Sequence, residues 1–266
     1  MDTLTSKDGT TIAYETAGSG PAVIVISTVA EDHTGVAGIA AALAKHFTVV
    51  NYDRHGRGGS GDPQPYDPAR EIDDIEALID TVGGTAALVS GSAGGILALD
   101  AATALGPKVT GLGLYEPPFI IDDSRPPAPE GYVAHQEALV AAGRRSEAVE
   151  YFMTDTLLVP AEWVEAMKQD PSWDAMAALA HTYAYDGRIV EGLLSGRPLP
   201  RDRWSVEAPI LVLVGENSEQ FFLDGAHALA EILPAVTVEQ LPGQDHGAFW
   251  MAPDTVAESF RSFLSA

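Results

Sequence analysis

Apolar residues in this chain fall into short unbroken runs separated by stretches of helical period. Residues 22–26 (AVIVI), 48–52 (TVVNY), 85–90 (TAALVS), 109–115 (VTGLGLY), 209–215 (PILVLVG) and 236–240 each predict a strand. The continuously apolar runs among them fit strands covered on both faces. Residues 11–15 alternate between Asp8-Gly9 and Gly18-Ser19-Gly20-Pro21, which predicts a β-hairpin near the start. Between the strands, 35–46, 69–82, 93–105, 225–233 and 255–264 read as helices. In the second of these, Ile72, Ile75, Leu78, Ile79 and Val82 lie on one face.

Strands alternating with helices imply an α/β domain with a mostly parallel sheet flanked by helices. The rhythm breaks once. Pro117, Pro118, Pro126, Pro127 and Pro129 crowd a linker, and residues 131–195 carry helical patterns alone. The expected organisation is a core of residues 1–118 and 205–266, with residues 119–204 inserted as a helical cap. Ligands of open parallel sheets bind at the C-terminal edge of the strands, so the cap is placed there.

Composition narrows the class. With 46% apolar residues in a chain of 266, a sizeable core is expected. The net charge of -23 argues against nucleic acid, which needs clustered Lys and Arg, and against an anionic membrane surface. Absence of cysteine removes thiol nucleophiles, disulfides and thiolate metal sites. The polar start MDTLTSKDG has no apolar signal core, and no apolar run is long enough to span a membrane. The expected setting is cytoplasmic. No two histidines fall at metal-ligand spacing, so neither a metal nor a cofactor is expected.

The strongest chemical signal is Ser90-Gly91-Ser92-Ala93-Gly94-Gly95, directly after a buried run and before an alanine-rich helix. A serine on a tight strand-to-helix turn needs small residues two positions to either side, and Ser90 and Gly94 meet that need. Such a turn exposes the hydroxyl and aims the following N–H groups and the helix N-terminus at one point, where an oxyanion can develop. The competing reading, a glycine-rich turn that cradles phosphate, lacks both a P-loop lysine and the Gly-x-Gly-x-x-Gly order.

Together with this elbow, the Tyr52-Asp53-Arg54-His55-Gly56-Arg57-Gly58-Gly59-Ser60 loop, the Val212–Asn217 strand end and Pro242-Gly243-Gln244-Asp245-His246 stand in the order of the α/β-hydrolase superfamily. The chain resembles that family over nearly its whole length. The resemblance implies an α/β-hydrolase fold, Ser92 as nucleophile and His246 as its base. It also implies that residues 53–61 brace the elbow from below.

Many relatives carry the acid after Gly-Glu-Asn, but here Ser218 follows, and a hydroxyl does not stabilise an imidazolium. Glu219 and Asp224 lie nearby. Glu116 is the preferred acid. It ends the run 109–115, next to the elbow strand, and it resembles the glutamate placed at this strand end in the zearalenone lactonases and in one branch of haloalkane dehalogenases. Ser27-Thr28-Val29 stands where relatives usually have His-Gly, and the backbone N–H groups of Val29 and Ala93 are the implied oxyanion donors.

The helical insertion is rich in aromatic residues. Phe119, Trp163, Trp173 and Tyr183 are candidate pocket residues, and a neutral, mid-sized hydrophobic ester or lactone is the expected small-molecule substrate. A homodimer is compatible with the sequence. Two other readings remain open: a lyase, cyclase or C–C bond hydrolase on the same fold, and an inert ligand-binding homologue.

Overall fold

The computed structural model describes residues 1–265. Eight strands form one sheet: β1 (Asp2–Thr5), β2 (Thr11–Gly18), β3 (Ala22–Ile26), β4 (Thr48–Tyr52), β5 (Ala86–Gly91), β6 (Val109–Tyr115), β7 (Ile210–Gly215) and β8 (Val236–Leu241), in the order β1-β2-β4-β3-β5-β6-β7-β8. β1 and β2 pair antiparallel, as do β2 and β4, and all other pairs are parallel. The expected hairpin is present, with β1 as a partner that the sequence did not suggest.

The helices of the core are α1 (Ala37–Leu43), α2 (Pro68–Thr81), α3 (Gly94–Leu105), α9 (Gln220–Ile232), α10 (Ala248–Met251) and α11 (Pro253–Leu264). Between β6 and β7 run α4 (Tyr132–Ala141), α5 (Arg145–Tyr151), α6 (Ala161–Met167), α7 (Ser172–Ala178) and α8 (Thr182–Ile189), with a π-helical turn at Phe152–Thr156. No helix among the described residues is long and apolar enough to cross a membrane.

The alternation of side chains along each strand divides the core in two. Ile24 and Ile26 of β3 face a layer containing Ile75, Leu78 and Ile79 of α2 and Phe222 and Leu229 of α9. Val23 and Val25 point the other way, toward Ile39 of α1 and Val256 and Phe260 of α11. Because every residue of β5 and β7 is buried, these strands show no polar alternation, as expected for sheet covered on both faces. α2 is started by Asp67, whose carboxylate accepts from Ala69 N at 2.9 Å, with Pro68 in the first turn.

A third apolar cluster lies outside the sheet. Leu139, Ala148, Val149, Val164, Trp173, Ala180 and Tyr183 of the inserted helices pack with Ala30 and Val29, which follow β3. The inserted block therefore sits against the loop at the C-terminal end of β3.

Candidate active site

Parallel strands in register bring their C-terminal ends to one edge. Ile26 of β3 pairs with Ser90 of β5, Gly91 of β5 with Tyr115 of β6, Tyr115 with Leu213 of β7, and Gly215 of β7 with Leu241 of β8. The residues that follow these ends are Ser27–Ala30, Ser92, Glu116 and, after a turn, His246.

Ser92 has φ 49°, in the left-handed region that costs an L-residue energy and persists only where the surroundings enforce it. Its N–H donates to Tyr115 O at 2.8 Å, and its carbonyl accepts from Gly95 N at 3.0 Å. The turn is tight enough that a Cβ at Gly94 would lie 2.3 Å from Ser90 Oγ and 2.7 Å from Ser27 O. Ser90 is accommodated because its hydroxyl donates to Ile26 O at 2.9 Å, which ties the elbow strand to β3.

Glu116 also has a positive φ, 47°, and is fully buried. One carboxylate oxygen accepts from Gly215 N at 2.7 Å, and the other lies 2.6 Å from His246 Nδ1. Since a carboxylate only accepts, Nδ1 carries the proton and Nε2 is left as the basic nitrogen. The turn bearing His246 is held in place twice. Tyr115 Oη donates to Asp245 O at 2.6 Å, and Asn217 N donates to Gln244 O at 2.8 Å. The imidazole stacks on Phe222 at 4.6 Å and 12° and meets Trp250 edge-on at 5.6 Å.

The alternative carboxylates are engaged elsewhere. Glu219 pairs with Arg125 at 3.2 Å, and Asp224 accepts from Gln220 at 2.9 Å. The Ser92 hydroxyl has no hydrogen-bond partner among the described residues.

Val29 is partly exposed and Ala93 buried, and neither N–H has a backbone acceptor among the described residues. The next N–H, that of Ala30, is taken by Asp186 Oδ2 at 3.0 Å. Nearby, the Glu31 carboxylate accepts from Thr28 Oγ1 at 2.7 Å, and burial pushes its protonation upward.

Residues 53–61 do brace this edge, but their contacts run to the loop after β3. Arg54 Nη1 donates to Ser27 O and to Thr28 O, each at 3.2 Å. Arg54 also grips Glu71 with two bonds of 2.7 and 2.9 Å. Arg54 and Arg57 both reach Asp186 of α8. All four charged groups are buried. Burial opposes the charge on Arg54, yet Glu71 and Asp186 outweigh it and hold the guanidinium firmly protonated.

The fold of this edge matches a known family. The sequence profile of the alpha/beta hydrolase family matches residues 23–259. The chain belongs to that family. It is a hydrolase, as the motif order implied.

Among solved structures, an alpha/beta hydrolase from Sphaerobacter thermophilus DSM 20745 is 42% identical, with 98% of this chain and 99% of that one covered and a TM-score of 0.89. The enol-lactonase from Burkholderia xenovorans LB400 is 20% identical over 100% of both chains, TM-score 0.71. The esterase EaEST from Exiguobacterium antarcticum is 19% identical over 99% of both, also at 0.71. Among curated proteins, none matches.

Of the aromatic residues singled out in the sequence of this hydrolase, Trp173 and Tyr183 belong to the cluster that includes Val29 and Ala30 of the loop after β3, and Tyr183 lies there 4.7 Å from the Phe152 ring. Phe119 instead lies in the core below, against Trp204 at 5.8 Å, because its side chain points at the sheet layer that holds α9. Trp173 is used inside the helical block, where its indole N–H donates to Ser146 Oγ at 2.8 Å. Trp163 is 65% exposed on the outer side of its short helix.

Phe222 and Trp250, the two rings on the imidazole, were not singled out. The Phe221-Phe222 pair opening a helix after Gly-Glu-Asn, and Trp250 four residues after His246, were the available signals.

Two surface grooves lie away from this edge. One is lined by α1 and α11, and the other, of about 440 Å³, by Asp62, Gln64, Glu137, Arg145, His181 and Tyr185. Neither contains Ser92, Glu116 or His246. Asp32, His33 and Asp53 also approach one another within 4.8 Å. Their oxygens are already engaged as loop braces: Asp53 accepts from His33 N at 2.9 Å and Gly59 N at 2.7 Å, and Asp32 accepts from Thr34 N at 2.8 Å.

Proposed function

We propose that this hydrolase cleaves a carboxylic ester or lactone through an acyl-enzyme on Ser92. The observation that carries the reading is the 2.6 Å contact between Glu116 and His246 Nδ1, formed at the strand end beside a serine in strained left-handed backbone. Ser92 Oγ attacks the carbonyl carbon while His246 Nε2 takes its proton. Glu116 holds the ring in the required tautomer and stabilises the imidazolium. The N–H groups of Val29 and Ala93 receive the oxyanion, aided by the N-terminus of α3. His246 then returns the proton to the leaving alkoxide. Water, activated by the same imidazole, clears the acyl group.

The helices of residues 119–204 act as a cap over this edge. Tyr183, Phe152, Phe222 and Trp250 give the space an apolar, aromatic lining, which suits a neutral, mid-sized hydrophobic substrate. The lactonase and the esterase among the structural neighbours fit the same substrate class.

The test is a panel of nitrophenyl esters and lactones of graded chain length, run on wild type and on Ser92→Ala. Turnover by wild type and a loss of roughly 10⁴-fold or more in the variant are expected. Full activity in Ser92→Ala would remove the acyl-enzyme and favour chemistry in which His246 acts alone as a base.

A further inference from the structure

We propose that Asp186, together with Arg54, is a positioning residue for the oxyanion donor Val29, so that the inserted helices set the geometry of the hole as well as covering it. This rests on the serine-hydrolase reading above.

A peptide unit is rigid and planar, with its N–H and C=O pointing in opposite directions. The N–H of Val29 therefore shares a plane with the carbonyl of Thr28, and Arg54 Nη1 holds that carbonyl at 3.2 Å. Fixing the oxygen on one side aims the N–H to the other. The following plane joins the carbonyl of Val29 to the N–H of Ala30, and Asp186 Oδ2 accepts that N–H at 3.0 Å. Both planes that flank Val29 are thus pinned from outside the loop.

External pins are needed because Ala30 has φ 48°, a conformation that an alanine leaves readily when nothing opposes it. The loop's own bonds, Ser27 Oγ to Glu31 O at 3.1 Å and Thr28 Oγ1 to Glu31 Oε2 at 2.7 Å, close the loop on itself. They touch neither of the two peptide planes around Val29.

The two pins are one unit. Asp186 Oδ1 lies 3.0 Å from Arg54 Nη1, and both of its oxygens take Arg57 Nη2, at 2.8 and 2.7 Å. Asp186 belongs to α8, far along the chain from Ala30, and is nearly sealed from solvent. A buried carboxylate held by three such donors through four contacts has little freedom to move. Capture of the Ala30 N–H also prevents it from competing as a donor, leaving Val29 as the one presented.

The experiment compares Asp186→Ala and Asp186→Asn with wild type by two readouts. The first is kcat and KM per active site, counted by titration with a fluorophosphonate. Asp186→Ala should lose about 10²-fold in kcat, the scale of a misplaced oxyanion donor, with KM within about threefold. Asp186→Asn keeps a neutral acceptor for Ala30 and should lose only about tenfold. The second readout is hydrogen exchange, which needs no substrate. Peptides covering residues 27–33 should exchange faster in both variants, while those covering 109–116 stay unchanged.

A merely structural role would lower the titrated fraction and leave kcat per site near wild type, and that result overturns the proposal. Unchanged exchange at 27–33 in both variants overturns it too. If Asp186→Ala does not fold, Asp186→Asn carries both readouts by itself. Should wild type hydrolyse no ester while the exchange result stands, the serine-hydrolase reading fails and the pinning of the loop survives.

Discussion

Glu116 and the Thr28–Ala30 loop end strands β6 and β3, which flank the elbow strand β5, yet they are held by opposite means. Glu116 is fixed by neighbours one strand away: its N–H donates to Leu213 O at 3.0 Å and its carboxylate accepts from Gly215 N. Its partner imidazole is clamped between apolar rings. The loop after β3 is fixed by charges drawn from α2, the 53–61 loop and α8, a four-charge cluster with no net charge. On the roles proposed above, the acid–base side is held by the sheet, and the oxyanion side by contacts from α2, the 53–61 loop and the inserted α8.

Of the two sides, the sheet side is the more sensitive to a single substitution. Glu116→Gln keeps an acceptor for Gly215 N but turns an N–H₂ group toward His246 Nδ1, which forces the proton onto Nε2. A fall in kcat of roughly 10⁴-fold, or about 5 kcal/mol of transition-state stabilisation, is expected with little change in the denaturant midpoint. Steady-state kinetics on the best ester, alongside urea unfolding, checks this. A loss below about tenfold would place the acid elsewhere.

A smaller effect, on a different quantity, comes from the loop side. Arg54→Met leaves the Glu71 carboxylate buried without its bidentate partner and should cost about 3–5 kcal/mol of stability, read from urea unfolding. Adding Glu71→Leu removes the stranded charge and should recover most of that loss. Hydrolysis should stay low in the double variant, because the carbonyl of Thr28 is still unpinned. Recovery of stability and activity together would mean that the cluster serves folding alone.

What the sequence showed, and what it hid, divides along the same line. The strands β3 through β7 were legible because burial on both faces leaves unbroken apolar runs, and strand order then brought Ser92, Glu116 and His246 to one edge. β1 was not legible, since Asp2–Thr5 is short, polar and an exposed edge strand. α9 begins at Gln220, five residues before the expected start, because Phe221 and Phe222 already belong to its buried face.

The bracing of the β3 loop was hidden for a different reason. It joins Asp186 to Ala30, 156 positions apart, through arginines whose local context reads as an ordinary turn. The aromatic residues expected to line a pocket show the same effect. Helical spacing tells which residues share a face, but not what that face meets, so Phe119 and Trp163 looked equivalent to Tyr183 and were not.

In the proposed mechanism one hydroxyl, made nucleophilic by the Glu116–His246 pair, does the chemistry. The most direct measurement is fluorophosphonate labelling of the wild-type protein, followed by intact mass and peptide mapping. A single adduct, carried by Ser92 and absent after Glu116→Gln at matched exposure time, is the predicted result. A wild-type protein that takes no label, or an adduct on any other residue, would contradict the account.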